Sequence, residues 1–108
     1  MNDTLQNLYA VVQSRKENPQ EGSYTCYLFD KGMDKILKKV GEESAETIIA
    51  AKNGINSETI GEISDLIYHL IVMMVESGID IQDVMQELDR RALKIGNLKK
   101  MKVVDHET

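Results

Sequence analysis

From Ile63 to Val75 the chain runs ISDLIYHLIVMMV, a stretch whose apolar residues do not keep to one face of a helix. At about 100° per residue, Ile63, Leu66, Ile67, Leu70, Ile71, Val72, Met73, Met74 and Val75 cover almost the whole circumference, and a helix apolar all round has to be buried on all sides. A chain of 108 residues offers little material to surround such a helix. A second copy is the natural source of cover, so the pattern predicts an obligate homodimer with this helix in its core. The segment is far too short to span a bilayer: its longest unbroken apolar run is Leu70 to Val75.

The rest of the chain reads as helix around this element. Thr4 to Lys16 carries Leu5, Leu8, Tyr9 and Val12 at helical spacing and is closed by Pro19 and Glu21-Gly22. Ser23-Tyr24-Thr25 offers capping side chains before a short turn from Cys26 to Lys31, ended by Gly32. A long helix is predicted from Met33-Asp34, with Asp34 as N-cap, through Lys52. Its stripe is Ile36, Leu37, Val40, Ser44, Thr47, Ile48 and Ala51, and Asn53-Gly54 terminates it. Gly41 lies within it at a cost of about 1 kcal/mol relative to alanine, which suggests a close approach to the backbone there. Ser57 opens the apolar helix, expected over Glu58 to Glu76 with Gly78 beyond its end. Asp80 caps a last helix with the stripe Ile81, Val84, Met85 and Leu88. The single proline and the lack of hairpin signals agree with an all-α four-to-five-helix bundle as one domain over residues 1–95, followed by a polar C-terminal tail over 96–108.

Two acidic pairs interrupt these apolar helices. Glu43 and Glu46 lie three residues apart, as do Glu62 and Asp65, so each pair shares a helix face with Cβ atoms about 5–6 Å apart. Glu42, Glu43 and Glu46 could be a solvated face paired with Lys38 and Lys39. Glu62 and Asp65 are harder to dismiss, because no lysine or arginine lies within four residues of either. If the two helices face each other, four carboxylates converge, and a hard divalent cation such as Mg²⁺ relieves their repulsion while bridging to substrate phosphates. An EF-hand loop, Walker loop, Rossmann glycine fingerprint and nucleophile elbow are all missing from the sequence. His69 has no histidine mate at carboxylate-bridged di-iron spacing, which points to a core or supporting role.

Charge and cysteine content narrow the setting. A net charge of −5 argues against nonspecific nucleic-acid binding, which needs Lys and Arg to neutralise phosphates. Cys26 is the only cysteine, which excludes an internal disulfide, and the N-terminus lacks the basic, apolar and small-residue order of a secretion signal. These features lead us to expect a cytoplasmic protein with no membrane segment.

Several blocks occur in a particular order: Gly22-Ser23-Tyr24-Thr25, Lys35-Ile36-Leu37-Lys38-Lys39-Val40-Gly41-Glu42-Glu43, Ala50-Ala51-Lys52-Asn53-Gly54 and Glu62-Ile63-Ser64-Asp65-Leu66-Ile67-Tyr68-His69-Leu70. The acidic pattern resembles that of the all-α nucleoside triphosphate pyrophosphohydrolases. The full combination, over about residues 4 to 91, resembles the phosphoribosyl-ATP pyrophosphohydrolases of histidine biosynthesis. That resemblance implies hydrolysis of the α–β phosphoanhydride of phosphoribosyl-ATP to phosphoribosyl-AMP and pyrophosphate with Mg²⁺. Carried onto these residues, it implies metal binding by Glu43, Glu46, Glu62 and Asp65. Water activation falls to Glu42 or Glu46, and substrate contacts to Ser23, Tyr24, Thr25, Lys35 and Lys39. Two other readings stay open at this point: a house-cleaning pyrophosphatase for dUTP, dCTP or non-standard nucleotides, and a noncatalytic helical dimerisation or adaptor module whose acidic face binds a basic partner.

Overall fold

The computed structural model describes residues 3–96 and is all-helical over that range. Five helices follow one another: α1 Thr4–Glu17, α2 Tyr24–Lys31, α3 Met33–Asn53, α4 Asn56–Ser77 and α5 Ile81–Gly96. The polar tail expected over 96–108 lies, beyond Gly96, outside the described residues.

Helix ends follow local chemistry. Ser23 caps α2, its hydroxyl accepting from the Cys26 N–H at 3.2 Å, so that helix begins at Tyr24 and includes the residues expected only to precede it. Gly54 closes α3 at φ 77° and Gly78 closes α4 at φ 74°, left-handed conformations that favour glycine. Asp80 accepts from the Gln82 N–H at 2.8 Å ahead of α5, as its type predicts. Two expected caps are displaced. Gly32 holds the N-cap position of α3, which moves Asp34 into the first turn. Ile55 precedes α4 in an extended conformation, which puts Ser57 inside the helix. In both cases the tight connection from the preceding helix fixes the start before a favourable side chain is reached.

Only Gly54 and Ile55 separate α3 from α4, which makes the two a helical hairpin, and these helices pack on each other more extensively than any other pair. α1 lies against α4, α2 wedges between α1, α3 and α4, and α5 touches α1. The core gathers at one end: Val12 of α1, Leu28 of α2, Ile36 of α3, Ile71, Val72 and Val75 of α4, and Ile81 of α5. The other end of the hairpin extends away from it. There Ile48 is 69% exposed and Ile60 64%, with Ile49, Ile55, Ile63 and Ile67 also exposed.

Within one chain the expected apolar stripes are covered only in part. Of the α3 stripe, Ile36 is buried but Leu37, Ile48 and Ala51 are exposed. In α4, burial is confined to His69, Ile71, Val72 and Val75. The apolar pattern marks surfaces that need cover, and the single chain supplies it only around the second half of α4. Gly41 also differs from expectation, since a Cβ placed there would meet nothing within 4 Å. No helix among the described residues is long and apolar enough to cross a membrane.

Candidate metal and substrate site

The hairpin brings Glu43 of one acidic pair to both members of the other, while Glu46 lies outside that group of three. One carboxylate oxygen each from Glu43, Glu62 and Asp65 lie within 4.8 Å of one another. Glu46, one turn after Glu43, has its proton affinity raised by the Glu43 carboxyl, first as a hydrogen-bond acceptor for the protonated form and then through its charge. Glu62 also titrates above the ordinary carboxylate range, first through desolvation, then through the charges of Glu46 and Asp65. Neither Glu62 nor Asp65 forms an ion pair among the described residues. Glu46, Glu62 and Asp65, with Glu58, also line a cleft of about 420 Å³ floored by Ile49, Ala50, Asn53 and Gly61.

Glu43 is the most constrained member. Its residue is only 6% exposed, and its Oε2 is buried without a hydrogen-bond partner. A buried carboxylate oxygen with no donor is costly to keep. An all-oxygen set with one orphaned lone-pair donor, in which neither Glu62 nor Asp65 has a cationic partner among the described residues, fits a hard divalent cation. Lys39 stands at the edge, with Nζ 3.6 Å from Glu43 Oε1 and 3.7 Å from Glu42 Oε1. Burial pulls its proton affinity down, but Tyr24, Glu42 and Glu43 outweigh that and hold it above its usual value. Glu42 is half exposed and turned to Lys39, outside the three-carboxylate group. Lys35, a turn earlier, makes no ion pair among the described residues.

The register of the two acidic helices is tied by a residue that sequence reasoning placed only in an apolar stripe. The Thr47 hydroxyl lies 2.7 Å from the carbonyl oxygen of Glu43 and 3.2 Å from that of Glu62, and so bridges the backbones that carry two of the carboxylates. Its position in α3 gives no sign of this; the bond depends on how α4 packs.

The serine-tyrosine-threonine segment joins the same assembly from α2. The Tyr24 hydroxyl is 3.0 Å from His69 Nε2, while His69 Nδ1 lies 2.7 Å from the Asp65 carbonyl oxygen. Thr25 and Tyr68 share a hydroxyl–hydroxyl hydrogen bond. Burial first of all raises the Tyr24 phenol above its ordinary range, with Lys39 opposing and Glu43 adding to the effect. Ser23, Thr25 and Tyr24 are therefore engaged in capping α2 and holding it on α4, and the Tyr24 ring lies within electrostatic reach of Lys39 and Glu43.

The sequence model described as Phosphoribosyl-ATP pyrophosphohydrolase matches residues 5–92. The chain is similar to a phosphoribosyl-ATP pyrophosphatase of Clostridium novyi (strain NT), 53% identical over 97 residues that cover 90% of this chain and 88% of that protein. A protein of the same name from Listeria welshimeri is 50% identical over 101 residues, 94% of this chain and 97% of the relative. The histidine biosynthesis bifunctional protein HisIE of Thermoanaerobacter pseudethanolicus is 61% identical over 83 residues, 77% of this chain but 38% of that larger protein.

Proposed function

The chain belongs to the phosphoribosyl-ATP pyrophosphohydrolase family, and on that premise we propose how its residues carry out the reaction. It is a hydrolase of a phosphoanhydride bond in histidine biosynthesis, converting phosphoribosyl-ATP to phosphoribosyl-AMP and pyrophosphate. The observation that carries the site assignment is the approach of Glu43, Glu62 and Asp65 to within 4.8 Å, with one buried Glu43 oxygen left unpartnered.

In this reading Glu43, Glu46, Glu62 and Asp65 hold Mg²⁺. When bound, the ion supplies positive charge that neutralises the triphosphate and the departing pyrophosphate. The remaining work falls to the chain. Lys39 offers an ammonium at the edge of the acidic group for a phosphate oxygen, and Lys35 stands one turn away on the same helix. Ser23, Tyr24 and Thr25 form the wall toward the nucleoside. A water attacking the α–β anhydride breaks the bridging P–O bond and gives its proton to a carboxylate. Glu46, in the wall of the acidic cleft, suits that task through an oxygen not taken by the ion. Glu42, held by Lys39, orients the approach from the exposed side.

The protein works as a homodimer in the cytoplasm. The exposed apolar surface formed by Ile48, Ile60, Ile63 and Ile67 supports the dimer, since a second copy packed there would give α4 the cover its composition demands. A substrate panel tests the reading. Pyrophosphate should be released from phosphoribosyl-ATP with Mg²⁺ and not from dUTP or dCTP; the reverse preference would identify a house-cleaning enzyme, and no turnover at all a binding module.

A further inference from the structure

A cavity larger than the acidic cleft lies elsewhere in the structure. It is a volume of about 970 Å³ between the end of α1, the connection over residues 18–23 and the outer face of α2. We propose that this cavity is the subsite for the phosphoribosyl group that distinguishes phosphoribosyl-ATP from an ordinary nucleoside triphosphate, with Arg15 as the partner of its phosphate. The inference rests on the function proposed above and adds to it the place where the far end of the substrate is read.

Three features of the lining support this ligand chemistry. Arg15 makes no ion pair among the described residues, whereas its neighbour Lys16 is already paired with Glu76 at 2.9 Å. A guanidinium left open in a cavity wall is suited to bidentate phosphate recognition. Glu21 and Asp30 also line the cavity and likewise make no ion pair among the described residues. Those carboxylates repel a bare polyphosphate but accept hydrogen bonds from ribose hydroxyls. One open cation with two open acceptors therefore matches a phosphorylated sugar better than a chain of phosphates. Tyr24 and Tyr27, stacked with centroids 6.1 Å apart, supply an aromatic edge for the base between the two ends.

Tyr24 connects this cavity to the acidic cleft. Its ring is part of the cavity wall, while its hydroxyl is bonded to His69, which in turn holds the Asp65 carbonyl. A substrate with its triphosphate among the carboxylates and its base against Tyr24 would place its second ribose on the α1 side.

The test is Arg15→Met, a change on a partly exposed side chain outside the core cluster. The KM for phosphoribosyl-ATP should rise about tenfold or more, with kcat within about twofold, and Arg15→Lys should recover part of the loss. Ribose 5-phosphate, titrated into metal-free protein by NMR, should bind wild type and bind Arg15→Met at least several-fold more weakly. Inhibition by phosphoribosyl-AMP should weaken in the variant while inhibition by pyrophosphate stays unchanged. An unchanged KM, no binding of ribose 5-phosphate, or equal weakening of both product inhibitions would overturn the subsite. Wild-type protein that turned over dUTP and not phosphoribosyl-ATP would instead defeat the function on which the subsite rests.

Discussion

Tyr24 donates its hydroxyl hydrogen to Nε2 of His69 across 3.0 Å. The direction follows from the other ring nitrogen: the Asp65 carbonyl 2.7 Å from Nδ1 can only accept, so in the neutral imidazole Nδ1 carries the hydrogen and Nε2 the lone pair. This relay clamps the start of α2 onto the turn of α4 that carries Asp65. Tyr24→Phe leaves the Nε2 of a buried histidine without its donor and should cost about 1–2 kcal/mol. Urea denaturation of the two proteins measures it; equal midpoints would mean that the bond contributes nothing.

Thr47 sets the distance between the acidic helices through its contacts with the Glu43 and Glu62 carbonyls. Thr47→Val keeps the shape and removes the hydroxyl, and it should weaken Mg²⁺ binding several-fold, in line with about 0.5–1.5 kcal/mol for one hydrogen bond. Thr47→Ser should restore the affinity. Calorimetric Mg²⁺ titration of the three proteins decides the point, and a valine variant that binds as wild type does would remove Thr47 from the account.

Without metal, the acidic cleft should make stability fall with rising pH over a defined window. Glu46 and Glu62 have folded-state proton affinities raised above the ordinary 4.5, by the hydrogen bond and charge of Glu43 in the first case and chiefly by desolvation in the second. The folded state therefore binds more protons than the unfolded state between 4.5 and those raised values, and stability is lost as pH climbs through them. Metal-free Glu62→Gln should lose less stability than wild type as the pH climbs from 4.5 through the raised range of Glu62. Thermal denaturation in a chelating buffer measures the difference, and parallel curves for the two proteins would contradict it.

The exposed isoleucines carry the dimer prediction. Ile60→Lys with Ile63→Lys places charge on the uncovered apolar surface of α4, far from the core around Val72. The double variant should sediment as a monomer where wild type sediments as a dimer, and it should lose activity if the second copy steadies the cleft. A wild-type monomer at micromolar concentration would rule out the proposed cover for α4.

How much of this was readable in the residue order depends on the range of the interaction. Gly32, Gly54 and Gly78 mark helix ends because their backbone geometry is a local matter, and all three stand at the expected ends. Asp34 and Ser57 are displaced as caps because the preceding turns, including Gly54-Ile55, fix the helix starts first. The i, i+3 spacing shows that Glu62 and Asp65 share a face, and facing apolar stripes suggest that Glu43 joins them. Apolar periodicity does not tell a face covered by its own chain from one left open, so Ile48 resembles Ile36 in sequence although one is exposed and the other buried. The Thr47 bridge and the Arg15 cavity are less legible still. Each depends on where a helix distant in sequence comes to rest, and no local pattern records that.

The most direct test of the central claim is the Mg²⁺-dependent rate of pyrophosphate release from phosphoribosyl-ATP, compared between wild type and Asp65→Asn. Wild type should be active only with the ion, and the variant should fall by at least about a hundredfold while its circular dichroism and melting remain those of a folded protein. A folded Asp65→Asn protein with the wild-type rate would show that the converging carboxylates of α3 and α4 are not the catalytic centre.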